Sequence, residues 1–208
     1  MHNKGTGAFS LARDINSLWN GVYPYLARHI AEVYGRRGGA VMEAGPFCGV
    51  IHELARQGVG DTFSIASFPE QMRAYYAEQL EIHGQTDSIT IIDTDPGLTG
   101  VDDASVDLLV FRGALFFPSL FTVDYRAVQR ALKPAGCAFV GGGFGKYTPP
   151  GVISPIADRS RLLNLLIGKE EVTTDMIMRD LSENGIAGSS VITTEGGLWI
   201  IMRKEDEG

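Results

Sequence analysis

The stretch AVMEAGPFCGVIHELARQG, residues 40–58, decides the fold class. Its first part, AVMEAG (40–45), is a short apolar run that ends in glycine, which is typical of a buried strand. Its last part, GVIHELARQG (49–58), has the spacing of a helix that ends at Gly58. Strand, glycine turn and helix in this order predict a βα unit, with the turn at the carboxyl end of the strand.

The same pattern recurs downstream. TFSIASF (62–68) predicts a second strand, and a helix over 69–84 follows it with proline in the first turn and glycine at the end. The next predicted elements are strands at 89–93, 106–111 and 137–143 and a helix at 121–132. This alternation predicts a parallel sheet covered by helices on both faces.

The two ends of the chain differ from this repeat. Apolar residues recur at three- and four-residue steps from Phe9 to Tyr34, which predicts a helical N-terminal extension, 1–38, divided near Pro24. At the other end, helices at 154–167 and 173–184 precede two strands, 189–195 and 198–203, joined at a Gly-Gly turn. We therefore expect an α/β, Rossmann-like, doubly wound and mostly parallel seven-stranded sheet with a C-terminal antiparallel hairpin.

Composition limits the class of protein. At 208 residues the chain suits a single domain, 1–208. No run approaches the roughly 20 apolar residues of a membrane span, and the N-terminus lacks the apolar stretch of a secretory signal. The net charge is −7 and the 18 basic residues are scattered, which argues against binding of duplex nucleic acid. We expect a cytoplasmic protein that does not bind a membrane.

The first βα turn is the candidate ligand site. Gly45 and Gly49 would let a ligand approach backbone amides at a helix start, and Glu43 at the strand end could bind an ammonium group. A plain tight turn is the alternative. Cys48 and His52 would supply at most half of a zinc site, so we expect no metal there.

Six blocks of the sequence resemble, in order, the class I S-adenosylmethionine-dependent methyltransferases. They are Glu43-Ala44-Gly45 (acidic-x-Gly), 67–72 (S-P-E-M), 103–110 (N-S-F-D-L-V-V), 112–117 (S-R-G-x-x-F-F), 132–136 (L-K-P-G-G) and 140–145 (G-G-G-F-G). The resemblance runs from about residue 20 to residue 204. It implies S-adenosylmethionine as cofactor and direct in-line methyl transfer to a small-molecule or protein acceptor.

The resemblance also implies which residues form the site. The cofactor-binding set is Glu43, Ala44, Gly45, Gly49, Ala66, Ser67, Asp95, Arg112 and Gly113. Asp95 would hold the adenine amine or simply form a turn, and Arg112 would line the pocket or make an ion pair. The extension 1–38 would fold over the cofactor, where Tyr23 and Tyr25 would contact the acceptor or only pack. The resemblance names no catalytic base.

Two positions depart from the family pattern. Phe47 replaces the middle glycine of the loop, and Ala66 stands where the family has an acid for the ribose hydroxyls, with Ser67 as the nearest polar group. A serine hydrogen bond is weaker than a charge-assisted one, so we expect reduced cofactor affinity. The alternative is a methyltransferase-like binding or scaffold protein with little catalysis. An NAD-dependent oxidoreductase is disfavoured, because the full G-x-G-x-x-G is missing.

Overall fold

The computed structural model describes residues 4–206. At their centre is a seven-stranded sheet. Its strands are β1 (Ala40–Ala44), β2 (Thr62–Ser67), β3 (Ile89–Asp93), β4 (Val106–Arg112), β5 (Leu132–Gly142), β6 (Ser190–Thr193) and β7 (Leu198–Arg203). The order across the sheet is β3-β2-β1-β4-β5-β7-β6. Neighbouring strands from β3 to β5 are parallel, and β7 lies antiparallel between β5 and β6. The predicted sheet and its closing hairpin are confirmed.

Helices cover the sheet between the strands. They are α1 (Lys4–Leu18), α2 (Tyr23–Tyr34), α3 (Ile51–Arg56), α4 (Gln71–His83), α5 (Tyr125–Ala131), α6 (Pro150–Ile167) and α7 (Thr174–Glu183). The N-terminal region divides as predicted, with Pro24 in the first turn of α2. Among residues 4–206, no helix is both long and apolar enough to span a membrane.

Some boundaries differ from the sequence prediction. Helix α5 begins at Tyr125 instead of residue 121, because the Asp124 carboxylate accepts a hydrogen bond from the Ala127 amide at 2.9 Å and caps the helix. Helix α6 begins four residues earlier than predicted, at Pro150, because the first helical position needs no N–H donor. Strand β5 also begins early, since Leu132 already pairs with Val106.

The sheet separates two hydrophobic clusters. Along β1, Val41 belongs to the cluster on one face, and Met42 and Ala44 belong to the cluster on the other, as expected when successive side chains alternate. Helices α2, α3 and α4 cover the first cluster, and α5, α6 and α7 cover the second. The carboxyl ends of the parallel strands meet at one edge between these layers, where the sequence places the candidate site.

Candidate functional site

The turn after β1 is held in shape by Glu43. This side chain is fully buried, and its Oε2 atom accepts hydrogen bonds from the amides of Gly49 at 2.8 Å and Ile51 at 2.9 Å. Both donors lie at the start of α3, where amides have no partner inside the helix. The carboxylate thus closes residues 45–50 into a fixed loop.

Arg112, the last residue of β4, lies at the centre of a buried network. Its Nε atom donates to Glu43 Oε1 at 3.2 Å. Its Nη2 atom lies 2.9 Å from the Tyr23 hydroxyl and 3.3 Å from Asn16 Oδ1, and it also donates to the Phe47 carbonyl. No described residue accepts a hydrogen bond from Nη1. Arg112 therefore ties the N-terminal helices to both strand ends and keeps one amino group uncommitted.

Burial controls the charges of this network. It raises the pKa of Glu43, while Arg112 and the two loop amides lower it and offset part of that rise. Burial also disfavours the charged form of Arg112, but Tyr23 and Glu43 raise the pKa of the guanidinium above its ordinary value. Burial raises the pKa of Tyr23 as well, so its hydroxyl stays protonated and donates to the Asn16 carbonyl at 3.0 Å. Arg112 is the fixed positive charge of the site.

The glycines of the two turns make room for aromatic rings of the protein itself. Gly45 has φ +98°, and a Cβ atom there would lie 2.8 Å from Phe111. A Cβ atom on Gly49 would meet the ring of Tyr23, and one on Gly113 would meet the ring of Phe47. Phe47 is itself buried and stacks on Phe117, with the ring centroids 4.8 Å apart. The absence of side chains at these glycines therefore makes room for the protein's own aromatic rings.

The strand end beside this turn has one unpartnered polar atom. Ala44 pairs with Ala66, and the Gly45 amide donates to the Ala66 carbonyl at 3.0 Å. Ala66 is fully buried and belongs to an apolar cluster. Ser67 is the last residue of β2, and its Oγ atom is buried without a hydrogen-bond partner among the described residues. An unpaired buried hydroxyl is costly, so Ser67 is a candidate ligand contact.

Of the other residues chosen from the sequence, Asp95 and Tyr25 lie outside this network, and Cys48 lies beside it in the loop after β1. Asp95 is exposed, and its Oδ1 atom accepts a hydrogen bond from the Thr99 amide at 3.2 Å, as in a turn. Tyr25 lies half-buried on α2. Cys48 is buried, and burial raises the pKa of its thiol well above the ordinary value, which is the behaviour of a structural cysteine.

A cavity of about 310 Å³ opens next to Arg112 and Gly113. Helices α1 and α6 form one side of it, and the carboxyl ends of β4 and β5 form the other. Its walls are mostly aromatic rings, from Trp19, Phe47, Phe116, Phe117 and Phe144. Its polar lining comes from Arg112, Ser160, Arg161, Asn164 and Lys169.

Sequence reasoning missed the walls that α1 and α6 contribute. Asn16 and Trp19 lie within the amphipathic N-terminal pattern, and Asn16 interrupts it as a polar residue that the fold buries. The Trp19 indole donates to Ser160 Oγ at 3.0 Å, across 141 positions of sequence. The polar Asn16 on the apolar stripe was the one feature of the sequence that could have indicated this site. No local pattern indicates a contact between residues so far apart in the chain.

Comparisons with known proteins identify the fold. No protein-family model matches the sequence, and no curated protein is significantly similar to it. A candidate S-adenosylmethionine-dependent methyltransferase of Methanococcus maripaludis superposes with a TM-score of 0.76 at 24% identity, covering 98% of this chain and 94% of that one.

Two further solved structures are similar over part of their length. PigF, solved with S-adenosylhomocysteine, has a TM-score of 0.60 at 16% identity over 92% of this chain. An O-methyltransferase family protein of Burkholderia thailandensis has a TM-score of 0.60 at 14% identity over 94% of this chain. The present chain spans 58% and 60% of those two proteins. The chain has the fold of the class I S-adenosylmethionine-dependent methyltransferases.

Proposed function

We propose that the protein binds S-adenosylmethionine and transfers its methyl group to a small-molecule or protein acceptor. The observation that carries this proposal is the position of the cavity. The order β2-β1-β4-β5 reverses between β1 and β4, and the cavity is lined there by Phe47 from the first turn and by Arg112 and Gly113 from the second. In doubly wound sheets, ligands bind at such a switch point.

Ser67 fits the cofactor at its ribose. The Oγ atom is buried at the carboxyl end of β2 and has no hydrogen-bond partner among residues 4–206. Ser67 is 2% exposed and does not line the cavity at Arg112, so a ribose hydroxyl would reach its Oγ atom and supply the missing partner only after neighbouring side chains move. We expect this neutral contact to hold the cofactor less tightly than a carboxylate would, because charge-assisted hydrogen bonds are stronger.

Arg112 fits the carboxylate of the methionine moiety. Its Nε and Nη2 atoms are engaged within the protein, and Nη1 has no acceptor among the described residues although Arg112 lines the cavity. A guanidinium already fixed by Glu43 loses little conformational entropy when it binds a carboxylate. Glu43, with both oxygens engaged, would act through the shape of the loop rather than through contact with the ligand.

The bound cofactor supplies an activated methyl group, so the protein needs no acid or base to create the electrophile. The chain would contribute position and the exclusion of water. The rings of Phe47, Phe117 and Trp19 give the cavity an apolar wall. Helices α1 and α6 would hold the acceptor in line with the methyl group.

Calorimetry with S-adenosylhomocysteine tests the proposal, with NAD as the comparison ligand. We expect S-adenosylhomocysteine to bind and to raise the melting temperature, since a ligand that binds the native state alone stabilises it by about 2.7 kcal/mol at 100 times its dissociation constant. NAD should have no effect. If a folded protein binds no S-adenosylhomocysteine at millimolar concentration, the proposal fails and the scaffold alternative gains.

Ser67→Ala is the matched variant for this titration. It removes an unpartnered hydroxyl, so the free energy of unfolding without ligand should stay the same or rise. The affinity for S-adenosylhomocysteine should fall, by a free energy of about 1 kcal/mol for one neutral hydrogen bond. A loss of stability without loss of affinity would show that Ser67 has only a structural role.

A further inference from the structure

The cavity beside Arg112 has the character of a site for an aromatic ligand. Phe47 and Phe117 stack with centroids 4.8 Å apart, and Trp19 stacks on Phe144 at 4.6 Å. All four rings line the cavity together with Phe116. Rings of this kind favour a flat apolar body, through buried area and through offset or edge-to-face contacts. A volume of about 310 Å³ is near the lower end of ordinary ligand sites.

The charges of the lining are of one sign. Arg112, Arg161 and Lys169 line the cavity, and no aspartate or glutamate does so among the described residues. The ion pair between Arg161 and Asp158 is 3.1 Å long, but both side chains are largely exposed. Such a pair contributes little, so the charge of Arg161 remains available to a ligand. Arg161 and Lys169 disfavour an acceptor with a cationic group beside them, although aromatic walls alone would accept one.

The acids nearest to Lys169 in sequence belong to another part of the surface. Glu170 and Glu171 line a second cleft, together with Val123 and Tyr125. The Glu170 amide donates to the Phe116 carbonyl at 2.9 Å, which fixes the backbone where it turns from one cleft to the other. Lys169 itself lies over the ring of Phe116, with Nζ 4.8 Å from the centroid. Its ammonium group is therefore held next to the cavity.

Burial orders the three cations along the cavity. Arg112 is 4% exposed and lies at the floor, beside the loop after β1. Arg161 and Lys169 are exposed and lie at the mouth. An elongated ligand can thus place its apolar body between the rings, one end against Gly113 and the other end against Arg161 and Lys169, which leaves Arg112 to the cofactor.

We propose that the methyl acceptor is a small aromatic acid, bound in this cavity with its carboxylate at Arg161 and Lys169 and the end to be methylated near Gly113. The role of this ligand as methyl acceptor rests on the proposed function, whereas its chemical class rests on the cavity alone. It selects a small molecule over a protein side chain.

Three probes of nearly equal size test the class of ligand. They are 3-phenylpropionate, 3-phenylpropionamide and 3-phenylpropylamine, each titrated by calorimetry and by the fluorescence of Trp19. The only other tryptophan, Trp199, is fully buried in the cluster that α2, α3 and α4 cover and does not line the cavity, so its fluorescence serves as the background. We expect the carboxylate to bind about tenfold more tightly than the amide, as a hydrogen bond to a charged group implies. The amine should bind more weakly than both.

Variants of single surface cations give the matched control. Arg161→Gln and Lys169→Gln should each weaken binding of 3-phenylpropionate about fivefold or more and leave binding of the amide unchanged. Arg159→Gln makes the same change of charge on α6 at an exposed position that does not line the cavity, and it should bind like the parent protein. Melting temperatures confirm that all three variants are folded.

The possible outcomes separate this inference from the proposed function. Equal binding of the three probes, or an equal loss of binding in Arg159→Gln, overturns the inference. Binding of S-adenosylhomocysteine without binding of 3-phenylpropionate overturns it alone. Selective binding of 3-phenylpropionate in a protein that binds no S-adenosylhomocysteine supports the ligand class and overturns the methyltransferase proposal.

Discussion

At the scale of single residues, Glu43 and Arg112 form an ion pair with side chains 0% and 4% exposed. Such a pair gains little over apolar residues of the same size, but removal of one partner leaves an uncompensated buried charge. The two loop amides and Tyr23 complete the hydrogen bonding. The pair is therefore costly to break from one side only.

We expect Arg112→Met to lower the free energy of unfolding at pH 7 by about 3–5 kcal/mol. The pKa of Glu43 is already raised by burial and held down by Arg112, so it rises further in the variant. A carboxyl group with a raised native pKa destabilises the fold as pH increases. The deficit relative to the parent should thus be small near pH 4 and grow toward pH 7 in urea denaturation.

Glu43→Gln in the Arg112→Met background provides the control. It removes the charge that lost its partner, so the pH dependence of the deficit should disappear. A deficit that stays constant with pH, or that persists in full in the double variant, would show that packing rather than charge dominates at this position.

The end of β2 allows a second prediction for single residues. Ser67→Asp should tighten binding of S-adenosylhomocysteine about tenfold, because a carboxylate accepts the ribose hydroxyls more strongly than a serine does. It should also lower the stability of the free protein, since the new charge is buried. Ala66→Asp, at the position that the family resemblance assigns to the ribose, is the control: the Ala66 side chain belongs to the apolar cluster on the opposite face, so we now expect stability to fall without gain in affinity. Calorimetry and melting curves decide between the two positions.

At the scale of elements, α1 and α6 are joined over the cavity. The Trp19 indole donates to Ser160 Oγ, and its ring stacks on Phe144. Ser160 is 3% exposed, whereas Trp19 is half-buried. When this hydrogen bond is broken, water can replace the partner of the half-buried indole, but it cannot replace the partner of the buried Ser160 hydroxyl.

Trp19→Phe should destabilise the protein by about 1–3 kcal/mol, since it leaves the buried Ser160 hydroxyl unpaired. Ser160→Ala should cost less, because the exposed edge of the indole turns to water. Ser160→Ala added to Trp19→Phe should recover part of the loss. Urea denaturation measures the three values, and hydrogen exchange of α1 amides reports whether the helix has loosened. An equal cost for both single variants contradicts this account.

At the scale of the whole molecule, buried histidines make the stability depend on pH. Burial lowers the pKa of His52 on α3 to about 4, and it lowers the pKa values of His29 on α2 and His83 on α4. The His52 ring donates from Nδ1 to Gln85 Oε1 at 2.6 Å, and its centroid lies 4.2 Å from that of His83. His83, which is only half-buried, therefore also contributes to this effect.

We expect the protein to lose stability as the pH falls from about 6.5 to 4, since the unfolded chain binds a proton that native His52 does not. At pH 5, His52 accounts for about 2 kcal/mol of the loss in free energy of unfolding. His52→Asn, which keeps a polar partner for Gln85, should lose that much less between pH 7.5 and pH 5 in urea denaturation. The idea fails if both proteins lose the same amount.

The sequence by itself determined the architecture. Period-two and period-3.6 patterns, proline at helix starts and glycine at helix ends are local signals, and they predicted the sheet and its closing hairpin. They also predicted the edge at which the turns after β1 and β4 meet, because the carboxyl ends of parallel strands share one edge. Boundaries such as the start of α5, which Asp124 caps, depended on individual side chains. The roles of Glu43, Gly45 and Asp95 in cofactor binding remain predictions.

Only the tertiary structure decided which side chains meet. The contact of Asn16 with Arg112 spans 96 residues and that of Trp19 with Ser160 spans 141, so no local period indicates them. The rings of Phe111, Tyr23 and Phe47 that fill the space beside the loop glycines are likewise brought there by other elements. A periodic pattern indicates which face of an element is buried. The shape of a cavity and the charge of its lining depend on which faces pack together.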